Sequence, residues 1–281
     1  MAGDPFDFAK PDRYAVMGNP VAHSKSPRIH AEFARALGEH IEYTAIQVDA
    51  GGLAQAVDQF RANGGYGLNI TVPFKLDAFR LADRKGARAA LAGAVNTIRF
   101  EPDGTVFGDN TDGIGLVRDL TQNLAQPIAG KNVLILGAGG AVRGVLGHIL
   151  YERPAIVVIA NRTASKAREL AEQFAAYGAI TGSGFDAIGI QAFDLVINAT
   201  AASLEGALPP IPPSAFAAGG LAYDMMYGDK ARRFLDWAQA NGAARVADGL
   251  GMLVEQAAES YFIWRGKRPA TRPMIEMLRT G

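Results

Sequence analysis

Residues 132–141 read NVLILGAGGA, an apolar run that gives way to glycines. Val133 to Leu136 form an unbroken apolar run, the way a parallel strand buried on both faces reads. Gly137, Ala138, Gly139, Gly140 and Ala141 follow at once, and a helical pattern over 140–152 comes next. A glycine-rich turn between a buried strand and a helix lets a dinucleotide pyrophosphate approach the backbone at the helix N-terminus. The G-x-G-x-x-G spacing is incomplete: its third glycine would fall at Val142, and Ala141 and Gly144 are the nearest small residues. On its own, the pattern also fits a tight strand-to-helix turn without a ligand.

Working outward toward the C-terminus, the spacing predicts strands at Ala155–Ala160, Asp194–Ala199 and Leu221–Asp224, with helices at 165–177 and 230–241. The strand after the glycine turn ends in Asn161-Arg162-Thr163-Ala164-Ser165-Lys166. A domain built for NAD places a carboxylate here to bond the adenosine ribose. None is present. Arg162 and Lys166 would instead grip a 2′-phosphate, and as mere helix-start residues they would oppose the helix dipole. The expected cofactor is therefore NADP(H).

Toward the N-terminus, 13–18, 42–49 and 66–72 read as strands, with helices at 26–37 and 51–63 between them. Strand–helix alternation means βαβ units and a mostly parallel sheet. The segment from Asn96 to Phe107 breaks the rhythm as a hairpin turning at Pro102-Asp103-Gly104, and a helix follows at 112–124. Gly251–Arg265 reads as a long amphipathic helix. LPPIPP at 208–213 reads as a rigid surface loop. The expected architecture is α/β in two domains with a cleft between them. Residues 1–111 with 248–281 form a discontinuous substrate domain, and 112–247 a Rossmann-type NADP domain.

Composition narrows the functions. Lys+Arg and Asp+Glu both number 28, so no basic excess points to a nucleic-acid partner. With no cysteine, the chain has no disulfide, thiol nucleophile or thiolate metal site. His23, His30, His40 and His148 lack metal-ligand spacing, so no metal is expected. The opening MAGDPFDFAKPDRY is unlike a signal peptide, and no apolar run is long enough to span a bilayer. A cytoplasmic protein acting on a small molecule, as a monomer or homodimer and without a membrane partner, is the expectation.

NITVPFK at 69–75 raises a question of charge. A strand ends at Val72, Pro73 suits the first turn of a helix over 74–82, and Lys75 then sits at the positive end of the dipole, where a cation is disfavoured by roughly 0.3–1 kcal/mol. Such a lysine either reaches into solvent or is kept for chemistry. In GNPVAHSKSP (18–27), Ser26 before Pro27 is a ready N-cap, and Ser24 is not needed for it. Two hydroxyls at a helix start also offer a seat for a carboxylate. Asn96 in AGAVNT and Asp112 in GDNTDG stand at element ends, where sites gather; Asp112 would also favour a helix start.

With these residues in view, the chain resembles the shikimate dehydrogenases. GNPVAHSKSP, NITVPFK, AGAVNT, GDNTDG, GAGGA, NRT (161–163), INAT (197–200), YDMMY (223–227) and ADGLGMLVEQAA (247–258) run in family order from about Tyr14 to Trp264. The first ten residues and AASLEG (201–206) depart from the pattern. The resemblance implies NADPH-dependent reduction of 3-dehydroshikimate to shikimate, on the route to chorismate and the aromatic amino acids. It implies Lys75 and Asp112 as the acid–base pair. It implies Ser24, Ser26 and Tyr227 near the substrate carboxylate, and Asn69, Thr71, Asn96 and Gln256 at its hydroxyls. It implies Gly137 to Ala141 under the pyrophosphate, and Asn161, Arg162, Thr163 and Lys166 at the 2′-phosphate. Thr200, Met225, Gly249 and Met252 would lie along the ribose and nicotinamide. Two rivals remain: an NAD-dependent quinate/shikimate dehydrogenase, which would need an acidic residue at 161–163, and a cofactor-binding regulator, which could lose Lys75 or Asp112.

Overall fold

The computed structural model describes residues 10–188, 191–200 and 208–280. The chain divides into two compact units. One comprises the residues up to Ala90, Ala94–Thr111 and those from Ala257 onward; the other comprises Leu91–Gly93 and Asp112–Gln256.

The first unit opens with β1 (Asp12–Gly18), α1 (Ser26–Leu37), β2 (Ile41–Gln47), α2 (Leu53–Ala62) and β3 (Gly65–Ile70). It continues with α3 (Lys75–Leu81), β4 (Arg84–Lys85), α4 (Ala87–Ala92), β5 (Thr97–Phe100) and β6 (Val106–Asp109). Its sheet runs β2-β1-β3-β5-β6-β4. β1 pairs in parallel with β2 and β3, whereas β3–β5 and the β5–β6 hairpin are antiparallel. β1 is buried from Tyr14 to Gly18 and is apolar on both faces, while β2, at the sheet edge, alternates in burial. Ala15, Met17, Leu68 and Ile70 pack with α2 and α3 through Val57, Phe60, Phe74 and Ala78. Tyr14, Val16 and Tyr43 form a second cluster, against which Trp264 packs.

The second unit starts with α5 (Asp112–Arg118), which runs into a π-helical turn over Asp119–Asn123. Next come β7 (Asn132–Leu136), α6 (Gly140–Tyr151), β8 (Ile156–Ala160), α7 (Ala164–Phe174) and β9 (Ile180–Ser183). β10 (Phe193–Asn198), β11 (Phe216–Asp224), α8 (Asp229–Ala240) and β12 (Arg245–Asp248) complete its sheet. The order β12-β11-β10-β7-β8-β9 is parallel throughout. Counting from β7, this is the doubly wound 3-2-1-4-5-6 order of dinucleotide-binding folds. Alternation along the strands feeds two cores. Val133, Ile135, Val157 and Ile159 join α6 and α7, while Leu134, Leu136, Val158 and Val196 join Phe234 and Ala238 of α8. Each such side chain, fully buried, contributes about 1.5–3 kcal/mol.

α9 (Leu250–Arg265) carries the chain back into the first unit at Ala257, and α10 (Arg272–Thr280) follows. Several sequence expectations need correction. α9 is not amphipathic: from Gly251 to Tyr261 every residue is buried except Leu253 and Gln256, which are half-buried, and the buried set includes the polar Glu255, Glu259 and Ser260. Glu259 is neutralised by Arg88 at 2.7 Å and Arg268 at 2.6 Å. Pro73 is not in the first turn of α3. It belongs to the turn in which the Phe74 amide donates to the Thr71 carbonyl at 3.0 Å, and the helix begins at Lys75. The 208–213 loop is not merely superficial, because Ile211 reaches the core at 6% exposure.

Candidate active site

In a doubly wound sheet, ligands gather beyond the carboxyl ends of the strands, where the strand order reverses. In the second unit that point lies between β7 and β10, whose last residues Leu136 and Asn198 are register partners. Gly137 follows β7 with φ of +109°, a conformation L side chains rarely adopt. A Cβ there would also press on the Ala199 carbonyl oxygen at 3.2 Å. Gly139 and Gly140 are exposed, and a Cβ added to either would meet nothing within 4 Å. The backbone is thus open to a close-lying ligand at the start of the twelve-residue α6, whose first amides have no intrahelical partner. Ala138 is half-buried and Ala141 exposed on the same turn. These residues fit a pyrophosphate.

The far end of that ligand is set by β8. Arg162, Thr163 and Lys166 are exposed just beyond it, and Asn161 is half-buried, donating through Nδ2 to the Thr163 carbonyl at 3.0 Å. The Asn161 amide donates to the Ser183 carbonyl of β9 at 3.1 Å, which fixes the start of this loop. Thr163 stands at the cap position of α7. The cations are held out where a phosphate monoester can meet them. The set fits NADP(H).

Three strand-end polar residues brace the turns that follow β10, β11 and β12, and sequence reading gave them no role. Asn198 and Asp224, register partners on β10 and β11, are joined by Nδ2 donating to Oδ2 at 2.8 Å. Asn198 Oδ1 accepts from the Thr200 hydroxyl at 2.8 Å, and Asp224 Oδ1 accepts from the Met226 amide at 2.8 Å. Asp248, next in register, accepts from the Gly228 amide at 2.9 Å and the Leu250 amide at 3.3 Å. Thr200, Met225, Tyr227 and Gly249 sit on the turns so fixed, and the Gly249 amide donates to the Met226 carbonyl at 2.9 Å. Burial raises the Tyr227 phenol above its usual range. Met252 is buried on α9, and Gln256, also on α9, donates to the Leu253 carbonyl at 2.9 Å. The signal was in the motifs: Asn and Asp at strand ends favour side-chain-to-backbone turns. AASLEG at 201–206 lies outside the described residues.

The first unit has its own switch point, between β1 and β3 in the order β2-β1-β3. Ser24 and Ser26 follow β1, and Thr71 and Lys75 follow β3. The two loops are stitched together. The Asn19 amide donates to the Val72 carbonyl at 3.0 Å, and Gly18 lies so close to Thr71 Cγ2 that a Cβ would overlap it. Ser26 is not the N-cap of α1: it is the first helical residue, after Lys25. Its amide donates to Ser24 Oγ at 3.2 Å, so the hydroxyl two residues back satisfies the first amide of the helix. Lys75 is half-buried at the start of α3.

Asn69 and Asn96 meet in a buried network. The Tyr43 hydroxyl donates to Asn69 Oδ1 at 2.8 Å, and Asn69 Nδ2 donates to the Asn96 carbonyl at 3.2 Å and to Ser260 Oγ at 3.0 Å. Asn96 Oδ1 accepts from the Thr111 amide at 2.9 Å, while Asn96 Nδ2 donates to Thr111 Oγ1 at 2.9 Å. Thr111 immediately precedes Asp112, which opens α5 at 9% exposure.

The first unit therefore holds Ser24, Ser26, Asn69, Thr71, Lys75 and Asn96, and the second holds Asp112, Tyr227, Gln256 and the cofactor residues. Among the described residues, no group of His, Asp and Glu could hold a metal, and no helix is long and apolar enough to cross a membrane.

Known proteins resemble this chain along nearly its whole length. The family model of the shikimate dehydrogenase substrate binding domain matches residues 16–98. Those of shikimate/quinate 5-dehydrogenase and the shikimate 5′-dehydrogenase C-terminal domain match 119–205 and 249–279. A shikimate dehydrogenase (NADP(+)) of Nitrosococcus oceani is 55% identical over 269 residues, covering 96% of this chain and 95% of the relative. Among solved structures, an Ael1 enzyme from Pseudomonas putida is 49% identical with a TM-score of 0.89, covering 95% of this chain and 98% of that one. Shikimate 5-dehydrogenase from Thermus thermophilus in complex with NADP(H) and shikimate is 34% identical with a TM-score of 0.82, covering 96% and 99%. On fold, strand-end chemistry and near full-length similarity alike, the chain belongs to the shikimate dehydrogenase family.

Proposed function

We propose that the chain is an NADP-dependent shikimate dehydrogenase, which interconverts 3-dehydroshikimate and shikimate in the cytoplasm as a step toward chorismate and the aromatic amino acids. One observation carries the reading: near full-length similarity to NADP-dependent shikimate dehydrogenases, in a chain whose β8 is followed by Asn161, Arg162 and Thr163 instead of a carboxylate. Bound NADPH supplies the hydride to the substrate ketone carbon, and NADP⁺ takes it back in the reverse direction.

The residues of the chain do the rest. As the ketone carbon gains the hydride, its oxygen gains charge; the Lys75 ammonium neutralises that charge and gives up a proton, leaving a hydroxyl. Asp112 acts with Lys75 as the second acid–base group. Ser24 and Ser26, at the start of α1, hold the substrate carboxylate with Tyr227. Asn69, Thr71, Asn96 and Gln256 take its hydroxyls. Arg162 and Lys166, with Asn161 and Thr163, select the 2′-phosphate. The α6 amides and Gly137 to Ala141 receive the pyrophosphate. Thr200, Met225, Gly249 and Met252 border the ribose and nicotinamide. The substrate domain is placed at residues 1–111 with 248–281, and the cofactor domain at 112–247. The protein acts as a monomer or homodimer.

The test is spectrophotometric: follow NADPH formation from NADP⁺ with shikimate, then with quinate, then with NAD⁺ in place of NADP⁺. Turnover with shikimate and NADP⁺ well above both controls is expected. Preference for quinate or for NAD⁺, or no turnover with any pair, would overturn the reading.

A further inference from the structure

Ser260 is fully buried on α9 and lies between the two asparagines of the first unit. The directions of the shorter hydrogen bonds around it follow from groups that can only accept or only donate, while its 3.3 Å contact with Thr111 Oγ1 can run either way. The Asn96 carbonyl can only accept, so the Asn69 side-chain atom facing it is the amide nitrogen, and Oδ1 faces the Tyr43 hydroxyl. The Thr111 amide can only donate, so the Asn96 atom facing it is Oδ1. Thr97 Oγ1 donates to that same Oδ1 at 2.9 Å. The 2.8 Å contact between Ser260 and Thr97 is then donated by Ser260. The result is a one-way chain: Tyr43 to Asn69, Asn69 to Ser260, Ser260 to Thr97, Thr97 to Asn96, and Asn96 to Thr111. Each bond polarises the next, and burial strengthens them all. Burial also pushes the Tyr43 phenol well above its usual range, so the head of the chain stays a donor.

We propose that Ser260 is a positioning residue for substrate-hydroxyl recognition, locking the Asn69 amide so that its oxygen, with a lone pair beyond the one Tyr43 uses, accepts from a substrate hydroxyl. The proposal rests on the reading of Asn69 as a substrate-hydroxyl ligand. Without the Ser260 hydroxyl, Asn69 Nδ2 loses its shortest contact and keeps only the Asn96 carbonyl and Thr97 Oγ1, each at 3.2 Å, while Thr97 loses a donor, so the amide is held less firmly. The polarity that distinguishes a hydroxyl from a hydrogen on the substrate ring is then weakened.

The experiment is steady-state kinetics of the full-length enzyme and its Ser260→Ala, Ser260→Thr and Asn69→Ala variants, with shikimate and its 4- and 5-deoxy analogues. For Ser260→Ala the expected result is a rise of about tenfold in KM for shikimate, the scale of one lost buried hydrogen bond. The KM for NADP⁺ should stay within about twofold, preference over one deoxy analogue should shrink, and Ser260→Thr should restore both. Should Ser260→Ala fail to fold, Tyr43→Phe removes the head of the same chain and is expected to give the same KM split. If Asn69→Ala raises KM for shikimate while Ser260→Ala leaves it unchanged or raises both KM values alike, the positioning role is overturned and the reading of Asn69 stands. If Asn69→Ala leaves KM and analogue preference unchanged, both are overturned.

Discussion

The main-chain carbonyl of Lys75 accepts the amide proton of Val95 at 3.0 Å. This bond ties the first residue of α3 to a fully buried residue next to Asn96, and the Phe74 ring behind it is 2% exposed. The backbone under Lys75 is therefore fixed by the core, while the side chain starts half-buried at the carboxyl side of β3. A lysine kept in the first turn of a helix against the dipole, on an anchored backbone, suits the handling of a proton better than a solvated surface position does.

Replacing Arg162 and Lys166 together by neutral residues should reduce the ratio of kcat/KM for NADPH over NADH by about 10- to 100-fold, the loss of charge-assisted hydrogen bonds to a phosphate. Both side chains are exposed, so folding should be unaffected. An unchanged cofactor ratio would remove them from cofactor choice.

Acid should weaken the fold through His30. The ring is fully buried and stacked on Tyr43 at 4.3 Å, and among the described residues neither of its nitrogens has a partner at hydrogen-bond geometry. Burial lowers its pKa from 6.5 to about 3. Between those values the unfolded chain binds a proton that the folded chain does not. The stability this group confers is thus complete above about pH 6.5 and falls by about 1.4 kcal/mol per pH unit as pH drops toward 3. Denaturant unfolding at pH 6.5 and pH 5 should show His30→Phe losing about 2 kcal/mol less than the parent. Equal losses would contradict this.

Gly251→Ala should destabilise by about 1–3 kcal/mol through overpacking. A Cβ at this position collides with the Asp119 carboxylate, which is 1% exposed and accepts from the Tyr223 hydroxyl at 2.8 Å and from Asn123 Nδ2 at 3.1 Å. Chemical denaturation measures it, and a midpoint matching the parent would show that the carboxylate has room to move.

Much of this was legible locally. The apolar runs of β1, β7 and β8 and the hairpin turn at Gly104 identify themselves, because burial on both faces and a positive φ leave composition little choice. The two-residue β4 and the polar β9, Ile180–Ser183, carry no such pattern and exist through their partners β6 and β8. α10 is readable from Met274, Ile275 and Leu278 at helical spacing, all buried. α9 misled because its glutamates and Ser260 look like a solvated face, and only distant partners make them interior. Ser260 meets Asn69 across 191 residues of sequence, a relation no local pattern carries. Among the site residues, the glycine turn and the missing carboxylate were visible as chemistry, whereas the bracing roles of Asn198, Asp224 and Asp248 needed the register of β10 to β12.

If Lys75 gives up the proton to the reacting oxygen, as proposed, Lys75→Ala loses turnover and keeps its grip on substrate. In steady-state kinetics with shikimate and NADP⁺, its kcat should fall by about 10²- to 10⁴-fold, with KM for shikimate little changed. A kcat near that of the parent enzyme would remove Lys75 from the chemistry.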